Sequence, residues 1–265
     1  MSHLSDEPTL MAGLSQRGVE PAMPTAGWRW LMVVLFAMAM AWVESAVVYY
    51  LRTMIHRLQP YQPNPLPIVG GIGTAEVIRE AATLVMLLLV GILAGRTWRA
   101  RWGYAALAFG VWDIFYYVFL KVLTSWPRSL LDWDILFLIP LPWWGPVWAP
   151  VAIAALMIVW GTLVTHFEDQ TGIRVVGWKS LGACLVGMIL ALVLFMIDAY
   201  RVAAQGEHAL RNMLPSHFHW PWFLLALVLM SAPIVKISLQ LGLVRGLLRA
   251  ARPVRERYVN PIGNS

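Results

Sequence analysis

Six long apolar segments constrain most strongly how this 265-residue chain can fold. Each has the length of about twenty residues that an α-helix needs to cross the hydrocarbon core of a bilayer. The predicted helices run over residues 27–51, 74–95, 102–123, 146–165, 177–200 and 220–243. The sequence therefore predicts an all-α fold, a polytopic transmembrane bundle of these six helices.

The composition supports a membrane location and excludes several other classes of protein. Hydrophobic residues make up 59% of the chain and charged residues only 13%, unlike a soluble domain. The net charge of +6 does not indicate nucleic acid, because the basic residues lie beside the apolar segments. The single cysteine, Cys184, excludes a disulfide framework and a cysteine metal site. The partner that the composition predicts is the lipid bilayer.

Both ends of the chain fall outside the predicted transmembrane domain, residues 27–243. Residues 1–26 are rich in Ser, Pro and Gly and predict a disordered tail, and residues 244–265 form a basic tail. Basic residues are about twice as numerous on the side that carries both tails, which predicts cytoplasmic termini. Ala37-Met38-Ala39 resembles a signal-peptide cleavage site, but the apolar pattern continues to Tyr50 and favours an uncleaved anchor.

A proline-rich segment precedes the fourth predicted helix. Residues 135–165 carry no charge, and this uncharged stretch is too long for one simple crossing of the membrane. Prolines interrupt its first half. These prolines are Pro140, Pro142, Pro146 and Pro150. We expect a bent or re-entrant segment over residues 134–145, packed against protein because irregular backbone cannot face lipid.

The second predicted helix carries charge at membrane depth. Glu76, Arg79, Glu80 and Thr83 fall on one arc of this helix, so two carboxylates and a guanidinium share a face. Charges at this depth are unfavourable unless they pair or line a wet cavity. We therefore predict that the other helices supply partners or water at this face.

Several further polar residues are predicted at a similar depth, near the outer leaflet. Small residues share a helix face with two of the acids, Ala37 and Ala41 with Glu44, and Gly187 and Ala191 with Asp198. Such faces let membrane helices approach closely. The predicted polar cluster comprises Glu44, Glu76, Arg79, Glu80, Asp113, Tyr116, Tyr117, Asp134 and Asp198.

This cluster has two interpretations from the sequence. A closed network of ion pairs with Arg52, Arg79, Lys121 and Arg201 would hold helices together and do nothing else. An excess of acids in a dry site would instead keep a carboxyl protonated, ready to carry a proton or accept a cation. The same oxygens suit a hard metal such as Mg²⁺, Ca²⁺ or Mn²⁺. The tyrosines are either polar members of the cluster or core aromatics.

His217 and His219 flank one residue in a predicted outer loop, so they are candidate ligands for a transition metal, although two histidines alone are a slight signal. No phosphate-binding loop, Gly-x-Ser-x-Gly, His-Glu-x-x-His or dinucleotide motif is present, which disfavours an ATPase or a serine or zinc hydrolase. The sequence identifies no cofactor.

Two stretches carry a resemblance to other proteins. The first is Gly-Val-Trp-Asp-Ile-Phe-Tyr-Tyr at residues 110–117. The second is Asp-Trp-Asp-Ile-Leu-Phe-Leu-Ile-Pro at residues 132–140, which continues to Pro142-Trp143 and Gly145-Pro146. With predicted helices one to four, they resemble a group of uncharacterised bacterial multi-pass membrane proteins. The resemblance implies a bacterial cytoplasmic membrane and no particular activity.

Three functions remain open on this evidence. The first is transport of a proton, a cation or a small polar solute along a path lined by the predicted acids. The second is a non-catalytic subunit or assembly partner, within a membrane complex or a homo-oligomer. The third is a membrane-embedded enzyme that acts on an amphiphilic or lipid-linked substrate through its carboxylates. We favour transport.

Overall fold

The computed structural model describes residues 25–63, 71–166 and 177–250. The predicted tails therefore lie outside the described residues, apart from the last two residues of the first tail and the start of the second. Thr25 caps the first helix, its hydroxyl accepting from the Trp28 N–H at 3.3 Å. This helix begins at Ala26, one residue before the predicted start.

The described residues contain six helices long and apolar enough to cross a membrane, which confirms the predicted polytopic bundle. The helices are α1 (Ala26–Met54), α2 (Gly71–Ala94), α3 (Trp98–Thr124), α4 (Trp148–His166), α5 (Trp178–Ala203), a short α6 (Glu207–Asn212) and α7 (Trp220–Ala250). Large apolar side chains such as Trp42, Leu93 and Val228 point outward from the bundle. The protein is a multi-pass membrane protein.

Helix α3 is the centre of one group of helices and packs against α1, α2 and α4. Helix α5 packs mainly against α7, and α7 in turn contacts α4. Glycines allow the close approaches: a Cβ at Gly161 of α4 would collide with the Gly103 carbonyl of α3, and one at Gly91 of α2 with the backbone of Ala105. The closest helix packing is therefore within the first group.

The proline-rich segment forms an antiparallel hairpin of strands β1 (Trp133–Phe137) and β2 (Trp143–Pro146). Asp134 lies opposite Gly145 and Ile135 opposite Trp144, with an irregularity before Phe137. The helix starts at Trp148, after Pro146 and two residues later than predicted. Pro150 lies in its first turn, where a missing backbone N–H costs no helical hydrogen bond. The sequence anticipated bent backbone here but not paired strands.

The hairpin enters the bundle from one end and points towards its middle. Asp134, near the start of β1, bonds Arg52 in the last turn of α1. Three residues later, the Phe137 ring stacks on Phe109, with ring centroids 6.4 Å apart, about halfway along α3. On the other strand, Trp143 stacks on Phe195 of α5 at 6.4 Å. We call this end of the bundle the hairpin end.

Candidate functional site

A cavity of about 1090 Å³ lies between the two groups of helices. Helices α2 and α3 line one side and α5 lines the other, with α1, α4, α7 and the hairpin completing the wall. The cavity extends from Gln59 and Pro60 at the hairpin end to Trp98, Trp102 and Trp178 at the opposite end. Most of its wall is apolar, and its polar side chains are concentrated towards the hairpin end.

Four side chains of α1 and α2 form what we call the glutamate cluster: Glu44, Glu76, Arg79 and Glu80. The Arg79 guanidinium donates to Glu44 through Nη1 and to Glu76 through Nη2 and through Nε, the last at 2.9 Å. The Thr83 hydroxyl donates to the second oxygen of Glu44 at 3.3 Å. One guanidinium therefore holds two carboxylates from different helices at the cavity wall.

Glu80 is bonded differently from the other two glutamates. Its carboxylate accepts the backbone N–H of Leu138, at the tip of the hairpin, at 2.9 Å. Within the described ranges, no lysine or arginine lies within salt-bridge distance of this carboxylate. The bond satisfies a backbone donor that would otherwise be buried without a partner, and it leaves the negative charge of Glu80 uncompensated by a direct cation.

Asp113 of α3 is the second buried acid without a cation. It is 93% buried, lines the cavity, and its Oδ2 atom has no hydrogen-bond partner among the described residues. A lone buried carboxyl is costly, so its presence is unusual without a functional reason. Trp112, Trp143 and Trp160 also line the cavity, and their buried indole N–H groups are likewise without protein partners in the described ranges.

Arg52 and Asp134 form a separate, closed pair. The guanidinium donates to the Asp134 carboxylate at 2.9 Å and lies over the Trp126 ring, 4.6 Å from its centroid. Asp134 is fully buried, and burial raises the pKa of its carboxyl while the neighbouring guanidinium opposes that rise. The Tyr117 side chain lies beside the same carboxylate. Asp134, a member of the predicted cluster, is thus paired one to one with Arg52.

The predicted tyrosines lie beside Asp113 on the cavity wall. The Tyr116 and Tyr117 rings meet edge to face with centroids 4.9 Å apart, and Tyr116 also stacks on Trp112 at 6.3 Å. Both tyrosine side chains line the cavity. Their contacts agree with the core-aromatic interpretation as well as with a role at the site.

The structure does not bring Asp198 into this group. Its carboxylate accepts from Arg201, one turn further along α5, at 3.2 Å in a largely exposed pair, and it does not line the cavity. The imidazoles of His217 and His219 lie close together before α7, with ring centroids 5.3 Å apart. No group of three or more His, Cys, Asp or Glu side chains in the described ranges is placed to hold a metal ion.

Sequence reasoning did not identify Trp143, Trp160 or the Leu138 amide as members of the site. Tryptophan is common at membrane interfaces and among packed helices, so its presence does not indicate a site, and a backbone amide leaves no signal in the sequence. The α3 face does leave one: Trp102, Ala106, Phe109, Asp113 and Tyr116 recur at helical spacing, and all line the cavity.

Comparison with known proteins gives one similarity to a transport protein. The chain is 26% identical over 201 residues to the glutamate/glutamine/aspartate/asparagine transport system permease protein BztC of Rhodobacter capsulatus. The aligned region covers 69% of this chain but 44% of the permease, so the chain spans less than half of that protein's length. No family model and no solved structure matches the chain. The similarity and the six helices support a bacterial inner membrane protein.

Proposed function

We propose that the protein transports a solute with a positively charged group across the membrane, and that the cavity is its path. Among the described residues, four acids and four arginines line the cavity, but Arg52 is paired with Asp134, Arg57 donates to a backbone carbonyl, and Arg99 lies at the opposite end. The observation that carries this proposal is the local excess of acid around Arg79 and Asp113. Glu44 and Glu76 share one guanidinium, and neither Glu80 nor Asp113 has a bonded cation in the described ranges. A cationic group placed between these acids would satisfy charges that the protein leaves unmatched.

The similarity to a permease supports a transport role. That protein's name assigns it to a transport system for glutamate, glutamine, aspartate and asparagine. All four amino acids carry an ammonium group, which is a suitable partner for uncompensated carboxylates. For this chain we propose a solute with a positive charge, because the unpaired acids of the site would attract such a group.

The proposed orientation follows the distribution of basic residues. With both termini in the cytoplasm, the hairpin end faces outward and the glutamate cluster belongs to the outer half of the membrane. In this arrangement the domain boundaries remain those proposed from the sequence, with a cytoplasmic tail before residue 27 and a basic tail after residue 243.

Flux through proteoliposomes tests the proposal. One set of vesicles contains a pH-sensitive dye and reports proton movement, and a second set reports uptake of radiolabelled choline. We expect the wild-type protein to accelerate at least one flux over protein-free vesicles. Glu80→Gln should lower that flux by about tenfold, equivalent to about 1.4 kcal/mol, because glutamine keeps an acceptor for Leu138 but removes the charge.

Asp198→Asn is the matched control, since it also removes one carboxylate but lies outside the cavity. It should leave the flux unchanged. Equal leak through wild-type, Glu80→Gln and protein-free vesicles would overturn the transport proposal.

A further inference from the structure

The cavity suggests a narrower class of ligand than the proposed function requires. We propose, resting on that function, that the ligand is a single-chain cationic amphiphile. Its ammonium group binds at the hairpin end of the cavity, which Glu80 and Asp113 line, and its alkyl chain lies along the apolar wall towards Trp102. The proposal is argued from the size of the cavity, its lateral opening and the placement of its charges.

The dimensions of the cavity exceed what a small ion or an amino acid needs. Its volume of about 1090 Å³ is at the upper end of the range for sites that hold drug-sized molecules. Along α3, Asp113 and Trp102 are eleven residues apart, a rise of about 16 Å. The wall between them is formed by Ala106 and Phe109 on this helix. The site is therefore elongated, with its acids at one end.

The facing walls are also apolar. Leu84, Leu87 and Leu88 of α2 lie on one side, and Leu181, Met188 and Leu192 of α5 lie on the other. An alkyl chain is more stable against an apolar wall than in water, whereas a hydrated solute finds no hydrogen-bond partners there. These walls therefore suit an alkyl chain better than a hydrated solute.

The cavity opens sideways towards the lipid. Helices α2 and α5 stand on its two sides and make almost no contact with each other in the part of the chain that the structure describes. Four of the residues that line the cavity are also 38–45% exposed: Leu84 and Leu88 on α2, and Leu181 and Met188 on α5. A molecule dissolved in the bilayer can therefore reach the wall without first passing through water.

Charge complementarity fixes the sign of the headgroup. Asp113 is 93% buried, it lines the cavity, and its buried Oδ2 atom has no hydrogen-bond partner among the described residues; Glu80 carries no direct cation in the same ranges. Arg79, the residue before Glu80, is already bonded to Glu44 and Glu76, and Arg52 is paired with Asp134. An anionic headgroup would be repelled by these unpaired carboxylates, whereas an ammonium would be attracted to them.

Photolabelling of the full-length protein in phosphatidylcholine nanodiscs tests this inference. The probe is dodecylamine with a diazirine at the chain terminus, and the comparison probe is the matching diazirine of dodecanol, which is neutral. We expect the amine to label the cavity walls of α2, α3 and α5, with unlabelled dodecylamine competing and methylammonium failing to compete. The alcohol should label the outward faces of the bundle.

Two variants test the binding of the ammonium headgroup and of the alkyl chain separately. Asp113→Asn should lower cavity labelling by the amine at least about tenfold, whereas Asp198→Asn should not change it. Ala106→Phe fills the apolar part of the cavity without touching any acid and should also lower labelling, whereas Ala39→Phe on an exposed face of α1 should not. The Ala106 arm keeps the test decisive even if Asp113→Asn disturbs folding.

The outcomes distinguish this inference from the transport proposal. Identical labelling by the amine and the alcohol, or equal labelling of Ala106→Phe and Ala39→Phe, would overturn the amphiphile site. Choline flux that depends on Glu80, together with no cavity labelling by dodecylamine, would retain transport and reject the amphiphile. Cavity labelling that depends on Asp113, without proton or choline flux, would support the amphiphile site and reject the transport of soluble cations.

Discussion

The closed pair of Arg52 and Asp134 differs from the glutamate cluster around Arg79 in two respects. In the pair, one guanidinium meets one fully buried carboxylate beneath the Trp126 ring. In the cluster, one guanidinium serves two glutamates, a third lies beside them, and all of them line a cavity. Both sets combine an arginine with carboxylates, so residue type alone does not separate a structural lock from a site.

The ratio of acid to base separates them. In the pair one arginine meets one acid, and Asp134 does not line the cavity although Arg52 does. Glu80 and Asp113, by contrast, line the cavity without a bonded cation in the described ranges, so they have both charge and room for a ligand. The exposed pair of Arg201 and Asp198 provides a third reference, because it shows the same chemistry near water. Replacing each arginine by methionine keeps an unbranched apolar stem and removes the charged guanidinium.

Arg52→Met should have the largest effect on stability. It leaves the carboxylate of Asp134, which is fully buried, without its cation, and breaking a buried pair costs about 3–5 kcal/mol. Thermal unfolding in nanodiscs, followed by tryptophan fluorescence, measures the loss. The double variant Arg52→Met with Asp134→Leu should recover most of it, and wild-type stability in the single variant would contradict a lock.

Arg79→Met should cost less, about 1–3 kcal/mol, between the values for exposed and buried pairs. The Arg79 side chain is 21% exposed, twice the fraction of Arg52, and the cavity gives its glutamates access to water or protons. The same unfolding measurement applies. A loss as large as that of Arg52→Met would mean that the cluster, too, is a structural lock.

Arg201→Met should have the smallest effect, below about 1 kcal/mol, because exposed pairs contribute little. Its side chain is 60% exposed, and its partner lies one turn away on the same helix. A loss greater than that of Arg79→Met would show that exposure does not order these pairs, and would remove the basis of the comparison.

The sequence predicted the spans and one half of the cluster. Apolar length located all six long helices, since each must cover the same thickness of hydrocarbon. Helical spacing placed Glu76 and Arg79 on one face of α2, and they bond each other there. The second carboxylate on Arg79, Glu44, comes from another helix, and only its depth was readable from the sequence.

Depth could be read from the sequence, but the direction of each face around the bundle could not. Asp198 has a depth like that of the other acids and shares a face with small residues. However, Gly187 on that face packs against α7, whose Ala226 carbonyl a Cβ there would meet at 2.7 Å. The hairpin was equally hidden, because its strands are buried or partly buried at every position and show no alternation of apolar and polar residues. Its prolines indicated only that a helix could not form there.

The opening between α2 and α5 has a consequence for any measurement of affinity. An apolar surface exposed to a bilayer is covered by acyl chains at all times, so a ligand that settles there must first displace a lipid. Binding is then an exchange, and the apparent dissociation constant changes with the surrounding lipid even when the protein does not. A single-chain detergent used for extraction competes for the same surface, so affinities measured in micelles and in bilayers describe two different equilibria.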